Sequence, residues 1–164
     1  MIALQILEKK QFMSKLLKEE MFHHFLLVEA TVINGVTYAL DGKIAEVSKK
    51  DFPEEFPFSF ILYEKAQPKI FEMVKGSYTP SYMKLIFSLT PENIQKTIAS
   101  ANCTCDPDTI SGMYINVVFQ GDQLLVTTGV SYGVFVKDRT LEQEWDRFVK
   151  LFFTKNNLGF ELMS

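Results

Sequence analysis

The stretch ATVINGVTYALDG (residues 30–42) reads as two β-strands joined by a tight turn, and NVVFQGDQLLVTTG (residues 116–129) repeats the pattern. In the first, Asn34-Gly35 is the strongest two-residue hairpin signal, because a type I′ turn needs positive φ at both positions. Val36, Tyr38 and Leu40 then share one face of the returning strand. In the second, Gly121-Asp122 places Gly first, as a type II′ turn prefers.

The order of elements around the two hairpins is also alike. Residues 1–7 form a β-prone run, and residues 9–21 carry Phe12, Met13, Leu16, Leu17 and Met21 on one broad helical face. Residues 83–89 are again β-prone. Thr90 then supplies an N-cap and Pro91 the first helical position, ahead of the stripe Ile94, Ile98 and Ala101. A later β-prone run closes each half, at residues 58–63 and 132–136. Each half therefore reads strand, helix, strand, strand, strand, and a repeat of this kind outranks any local feature. The expectation is a single α+β domain with half-repeats near 1–78 and 79–164. Its antiparallel sheets would come from two pseudo-symmetric β-α-β-β-β halves, with a C-terminal helix added. An unduplicated α+β sandwich is the competing arrangement.

Two helices fall outside the repeat. Residues 68–75 (PKIFEMVK) predict a short helix opened by Pro68 and closed at Gly76. Residues 141–155 predict a longer one, with Thr140 and Gln143 as a capping box and Leu141, Trp145, Phe148, Val149 and Phe152 on its apolar face. Leu151 and Phe153 flank that stripe, and NNLG ends the helix.

The repeated unit, carried by MKLIFSLTPENIQKTIAS and VVFQGDQLLVTT, resembles one domain of a DNA sliding clamp over roughly residues 1–62 and 82–136. The whole chain also resembles a family of small bacterial proteins of unknown function, through MIAL, FMSKLL, FLLVEATV, LDGKI, KGSYTPSYMKLIF and LTPEN. The first resemblance implies a fold. The second implies no chemistry. Clamps hold DNA with basic helix faces, because phosphate attraction supplies the binding. Here the first helix exposes Lys15 and Lys18, while the second exposes Glu92, Asn93, Gln95 and Lys96 and is nearly neutral. A clamp-like fold does not by itself carry clamp function.

Composition narrows the classes further. The chain has 164 residues, 47% apolar and 23% charged, enough for one compact core. Fifteen Phe against one Trp predict many buried rings. Net charge is −3, and 15 of the 17 basic residues are Lys, which argues against a dedicated nucleic-acid binder. No secretory signal is evident, and no apolar run reaches the ~18 residues of a membrane span. Cys103 and Cys105 lie too close to staple a fold. The expected setting is the reducing cytoplasm, where the sequon at Asn102 has no meaning.

Several motifs tempt a catalytic reading. GVSYG (residues 129–133) matches a nucleophile elbow, but a β-like run follows Ser131 where a helix is required, and both histidines lie upstream. SYMK (residues 81–84) matches S-x-x-K without its companion motifs. The loop from Cys103 to Asp108 has two thiols and two carboxylates, but structural zinc wants four ligands in paired clusters. His23 and His24 stand four residues after Glu19 and Glu20, so one imidazole could act as a base held by a carboxylate. Helix-terminal histidines are the simpler reading. No phosphate-binding glycine loop occurs.

These features favour a non-enzymatic binding or assembly module, with a protein partner or a second copy of the chain. No cofactor, catalytic residue, metal or membrane contact is expected, and nucleic acid is disfavoured. Lys15, Lys18 and Lys96 are the candidate surface residues. The alternative is an enzyme using His23 or His24 with Glu19 or Glu20, or the loop from Cys103 to Asp108.

Overall fold

The computed structural model describes residues 1–76 and 78–163; Ser77, within the quoted KGSYTPSYMKLIF, and Ser164 lie outside the described residues. The chain runs β1 (Ala3–Ile6), α1 (Lys9–Lys18), β2 (Leu26–Asn34), β3 (Val36–Asp41), α2 (Glu46–Asp51), β4 (Ile61–Leu62), α3 (Tyr63–Val74) and β5 (Tyr82–Ser88). It continues with α4 (Pro91–Ala101), a 3₁₀ turn (Pro107–Thr109), β6 (Ile110–Gln120), β7 (Gln123–Tyr132), α5 (Thr140–Lys155) and β8 (Phe160–Leu162). The fold is α+β. All eight strands join one open antiparallel sheet in the order β3-β2-β5-β6-β7-β1-β8, with β4 on the β3 side of β2.

Strand alternation divides the sheet. Ala30 and Val32, Met83 and Leu85, Ile115 and Val117, and Leu124 and Val126 are buried on one face. They form one core cluster with Phe12 and Leu16 of α1, Ile70 of α3, Ile94 and Ile98 of α4, and Trp145 and Val149 of α5. Residues of the other face, such as Thr31, Lys84, Val118 and Leu125, are half-buried. The helices α1, α3, α4 and α5 thus stack on one side of the sheet. Phe22 sits at the centre, its ring 4.7 Å from Phe87 and 5.9 Å from both Phe12 and Phe25.

The halves share an order but not a pairing. The strands β5, β6 and β7 are consecutive neighbours, whereas β1 lies between β7 and β8, and β5 takes the place beside β2. The expected closing strand of each half also differs from what forms. Residues 58–63 yield only Ile61–Leu62 before α3 begins, and 132–136 yield the end of β7 and then an irregular segment.

Local chemistry explains the remaining departures. The first turn is not type I′, because Gly35 has φ 76° while Asn34 has no positive φ and pairs directly with Val36. The Asn34 side chain instead donates to the Val74 carbonyl (2.9 Å) at the end of α3. Gly121 has φ 61° and the two-residue turn lies between paired Gln120 and Gln123, as the sequence indicates. Pro68 does not open a helix but sits inside α3, where it removes the N–H that would reach the Glu64 carbonyl. Pro68 is exposed, so water can serve that carbonyl.

At α4 the Thr90 hydroxyl accepts from Asn93 N–H (3.3 Å) and Pro91 follows, as read from the sequence. At α5 Thr140 is the first helical residue and not the cap; the N-cap, Arg139, makes no side-chain cap bond, and the Asp138 carboxylate just ahead of it accepts from the Thr140 N–H (2.9 Å) and hydroxyl (2.6 Å). Those bonds hold the Asp138 carboxyl below the usual range. The helix ends in a Schellman arrangement. Asn157 has φ 59°, Leu158 N–H donates to the Phe153 carbonyl (3.0 Å), and buried Leu158 packs beneath. Burial along α5 follows Leu141, Trp145, Val149 and Phe153, so Phe153 belongs to the core and Phe148 is displaced toward solvent.

Candidate binding groove

The sequence predicts a helix to Met21, but α1 stops at Lys18 because its last carbonyls are taken by side chains of α3. The Tyr63 hydroxyl donates to the Leu16 carbonyl (2.8 Å). The Gln67 amide donates to the Leu16 carbonyl (3.0 Å) and to the Glu19 carbonyl (2.8 Å). A continued helix would need those same oxygens for Glu20 and His23. The chain instead turns through residues 19–25, with His23 N–H donating to the Glu20 carbonyl (3.1 Å) and Phe25 N–H to the Phe22 carbonyl (3.1 Å). This turn brings Met21, His24 and Phe25 up against α4 and α5.

There they line a groove of about 380 Å³ with Leu89, Phe148 and Phe152 as its apolar floor and Asn93, Lys96, Thr97, Ser100 and Glu144 on its rim. Along α5 the rings of Trp145, Phe148 and Phe152 stack in a ladder, with centroids 5.4 and 6.0 Å apart and planes within 11°. Phe152 also meets Phe25 at 5.5 Å. Trp145 is fixed by its indole N–H, which donates to the Tyr114 carbonyl (3.0 Å). Phe148 is 41% exposed, so one rung of the ladder faces the open groove. The rim charges are paired locally. Lys96 faces Glu92 (3.4 Å), and Glu144 holds Arg147 (2.5 Å) while accepting from Ser100 (3.4 Å). Arg147 and Ser100 draw the Glu144 carboxyl below its ordinary range.

The structure separates most residues singled out above. His23 does not meet Glu19 or Glu20; its Nε2 lies 2.7 Å from the Gln67 carbonyl oxygen. Because the Gln67 nitrogen already donates to two carbonyls, that oxygen is an acceptor and His23 Nε2 carries the proton. Glu19 instead accepts from Ser14 (3.2 Å) and pairs with Lys15 (3.7 Å). His24 is exposed in the groove, and among the described residues no carboxylate bonds to it. Cys103 and Cys105 pack half-buried against the core, and Asp106 caps the 3₁₀ turn by accepting from Asp108 N–H (3.0 Å). Burial and the neighbouring Cys103 push the Cys105 thiol up to about 11, so it stays protonated at neutral pH and is a poor nucleophile. Ser131 lies inside β7 opposite Gly112 rather than at a strand-to-helix turn. Among the described residues no three of His, Cys, Asp and Glu come together to hold a metal ion.

Of the candidate lysines, Lys96 is on the groove rim, while Lys15 and Lys18 line a shallower depression that shares Met21 with it. The floor itself was only partly legible. The helical period places Phe148 and Phe152 on one stripe, but nothing in the sequence marks Phe25 or Leu89 as their neighbours.

No curated protein and no solved structure matches the chain. What does match is a family model described as a family of unknown function (DUF5721), which spans residues 15–161 and so takes in the turn, α4 and the aromatic ladder; the chain belongs to that family.

Proposed function

We propose that this protein is a non-enzymatic binding module whose groove takes one amphipathic helix of a partner protein. The single observation that carries this reading is the stacked Trp145–Phe148–Phe152 ladder with Phe148 left open at the groove floor. An aromatic ring held by its neighbours loses little freedom on binding and supplies apolar area, the usual profile of an interface anchor. The rungs are about as far apart as residues three or four apart on a helix, roughly 5–6 Å, so apolar residues at that spacing can seat between them. The rim ion pairs Lys96–Glu92 and Glu144–Arg147 are already neutralised, so the occupant need bring no net charge. Lys15 and Lys18, beside the groove, serve at most to steer approach.

The test is a displayed library of random helical peptides selected against the whole protein. Enriched peptides should carry apolar residues at i and i+3 or i+4, and should bind Phe148→Asp at least tenfold more weakly. Failure to enrich, or equal binding to Phe148→Asp that keeps its circular dichroism spectrum, refutes the proposal.

A further inference from the structure

The border of the sheet at β3 carries a second, independent feature. Its residues, VTYALD, pair with β2 on one side, and among the described residues no strand pairs with the other. The Gly42 N–H donates to the Val28 carbonyl (2.8 Å), and hydrogen-bonded pairs alternate along the ladder from there. The main-chain groups of Tyr38 and Leu40 therefore turn inward to Val32 and Ala30, and those of Thr37, Ala39 and Asp41 turn outward. Sheet borders are ordinarily blunted by lysine, proline, a bulge or a very short strand. The opposite border, β8, is short, with only three residues. In contrast, β3 has no lysine or proline, its register with β2 is unbroken, and every residue except Leu40 is exposed.

A trough of about 440 Å³ runs beside this border. Tyr38 and Leu40 sit opposite buried Val32 and Ala30, so their side chains point to the helix side. They form one wall, and Pro68, Lys69, Glu72 and Met73 of α3 form the other. Glu72 is held by Lys75 (3.0 Å), whereas among the described residues Lys69 has no ion pair.

We infer that β3 accepts an extended segment of a partner protein as a further strand of the sheet, at a site separate from the helix groove. The outward N–H and C=O groups of alternate residues are met together only by an extended backbone. Every second side chain of that strand falls into the trough. There Tyr38, Leu40, Pro68 and Met73 favour apolar residues, and unpaired Lys69 favours an acid on the same face. The β3 of a second copy fits this less well. It would set Val36, Tyr38 and Leu40 toward the trough and no acid, because Asp41 lies opposite Glu29 on the side away from α3. Glu72 of that copy is already held. The segment is also short. The border ends at the Gly35 turn and, past Asp41, where Ile44 N–H donates to the Ser59 carbonyl (2.9 Å), so the added strand spans at most the six residues of β3.

The experiment selects displayed random peptides of extended form on the Phe148→Asp chain, whose groove is spoiled, so that failure here is separate from failure of the helix reading. Binding of the enriched peptides is then measured on the native full chain, Ala39→Pro and Lys69→Glu. Proline at 39 removes an outward N–H and no bond to β2, and a sheet border tolerates proline whose nitrogen faces solvent. Enriched peptides should carry apolar residues two apart with an acid on the same face. They should bind the native chain as tightly as Phe148→Asp, and each of the other variants at least tenfold more weakly, with unchanged circular dichroism. On the native chain the peptide should also slow hydrogen exchange of the Thr37, Ala39 and Asp41 amides at least tenfold, a readout that stands even if Ala39→Pro does not fold. No enrichment overturns the inference, as do peptides that leave those three amides exchanging as before. Slowing of the same amides by the chain alone at about 100 µM would give the border to a second copy and overturn it equally.

Discussion

Removing the Tyr63 hydroxyl and the Gln67 amide together should cost far more than the two separate losses. Both groups donate to the carbonyl of Leu16, a residue with no exposed surface, and among the described residues no backbone N–H bonds that oxygen. Tyr63→Phe deletes one donor and leaves the other at 3.0 Å, so the loss is one net hydrogen bond, about 1 kcal/mol. Gln67→Leu also releases the Glu19 carbonyl and His23, but both reach water, so its cost is again about 1 kcal/mol. In the double variant the Leu16 carbonyl has no donor and pays its full desolvation, a further ~1–3 kcal/mol. The total becomes about 3–5 kcal/mol, and the coupling term is as large as either single effect. Urea unfolding of the four proteins, followed by fluorescence of buried Trp145, measures this directly. Additivity within about 0.5 kcal/mol would refute the view that the two side chains jointly end α1.

Gly42→Ala should abolish folding or cost more than about 3 kcal/mol, because its Cβ would collide with the Leu27 carbonyl oxygen at the irregularity in β2; thermal melts would show it. Thr90→Ala should lower stability by about 1 kcal/mol by urea titration, with Thr90→Ser recovering most of it, since the hydroxyl caps α4. Burial holds the Tyr63 hydroxyl neutral well above the ordinary tyrosine range, whereas the unfolded chain ionises it near pH 10. The native state therefore loses stability as pH rises above 10, and between pH 10 and 11.5 the native chain should lose up to about 2 kcal/mol more than Tyr63→Phe. Equal losses would place the hydroxyl in water. Asp138→Asn should reduce the melting temperature at pH 7, and that deficit should shrink as pH falls through the lowered pKa of the carboxyl, where the native Asp138 is itself protonated.

Elements whose signals lie within a few residues were legible in the sequence. Thr90-Pro91 places α4 to the residue, Gly121-Asp122 places the second turn, and the apolar period of residues 141–155 places α5. What stayed hidden depends on partners far along the chain. The stop of α1 is set by Tyr63 and Gln67, more than forty positions away. Asn34 reads as a turn residue until Val74 is seen to claim its amide. Pro68 signals a helix start, but its exposed position lets α3 run through it. The groove follows the same logic. Its α5 rungs show in the helical period, but Phe25 and Leu89 join them only because the turn after α1 and the end of β5 converge there.

Placing β1 between β7 and β8 has a kinetic meaning. Ala3 pairs with Thr127 and Leu4 with Leu162, so β1 finds its neighbours only across more than 120 positions of chain. The hairpins β2–β3 and β6–β7 can form from local contacts, while the far border of the sheet closes only when β1 reaches β7 and β8. Such high contact order puts the slow step of folding at that closure. Until then the backbone of β1 is an unsatisfied template, vulnerable to capture by a neighbouring nascent chain.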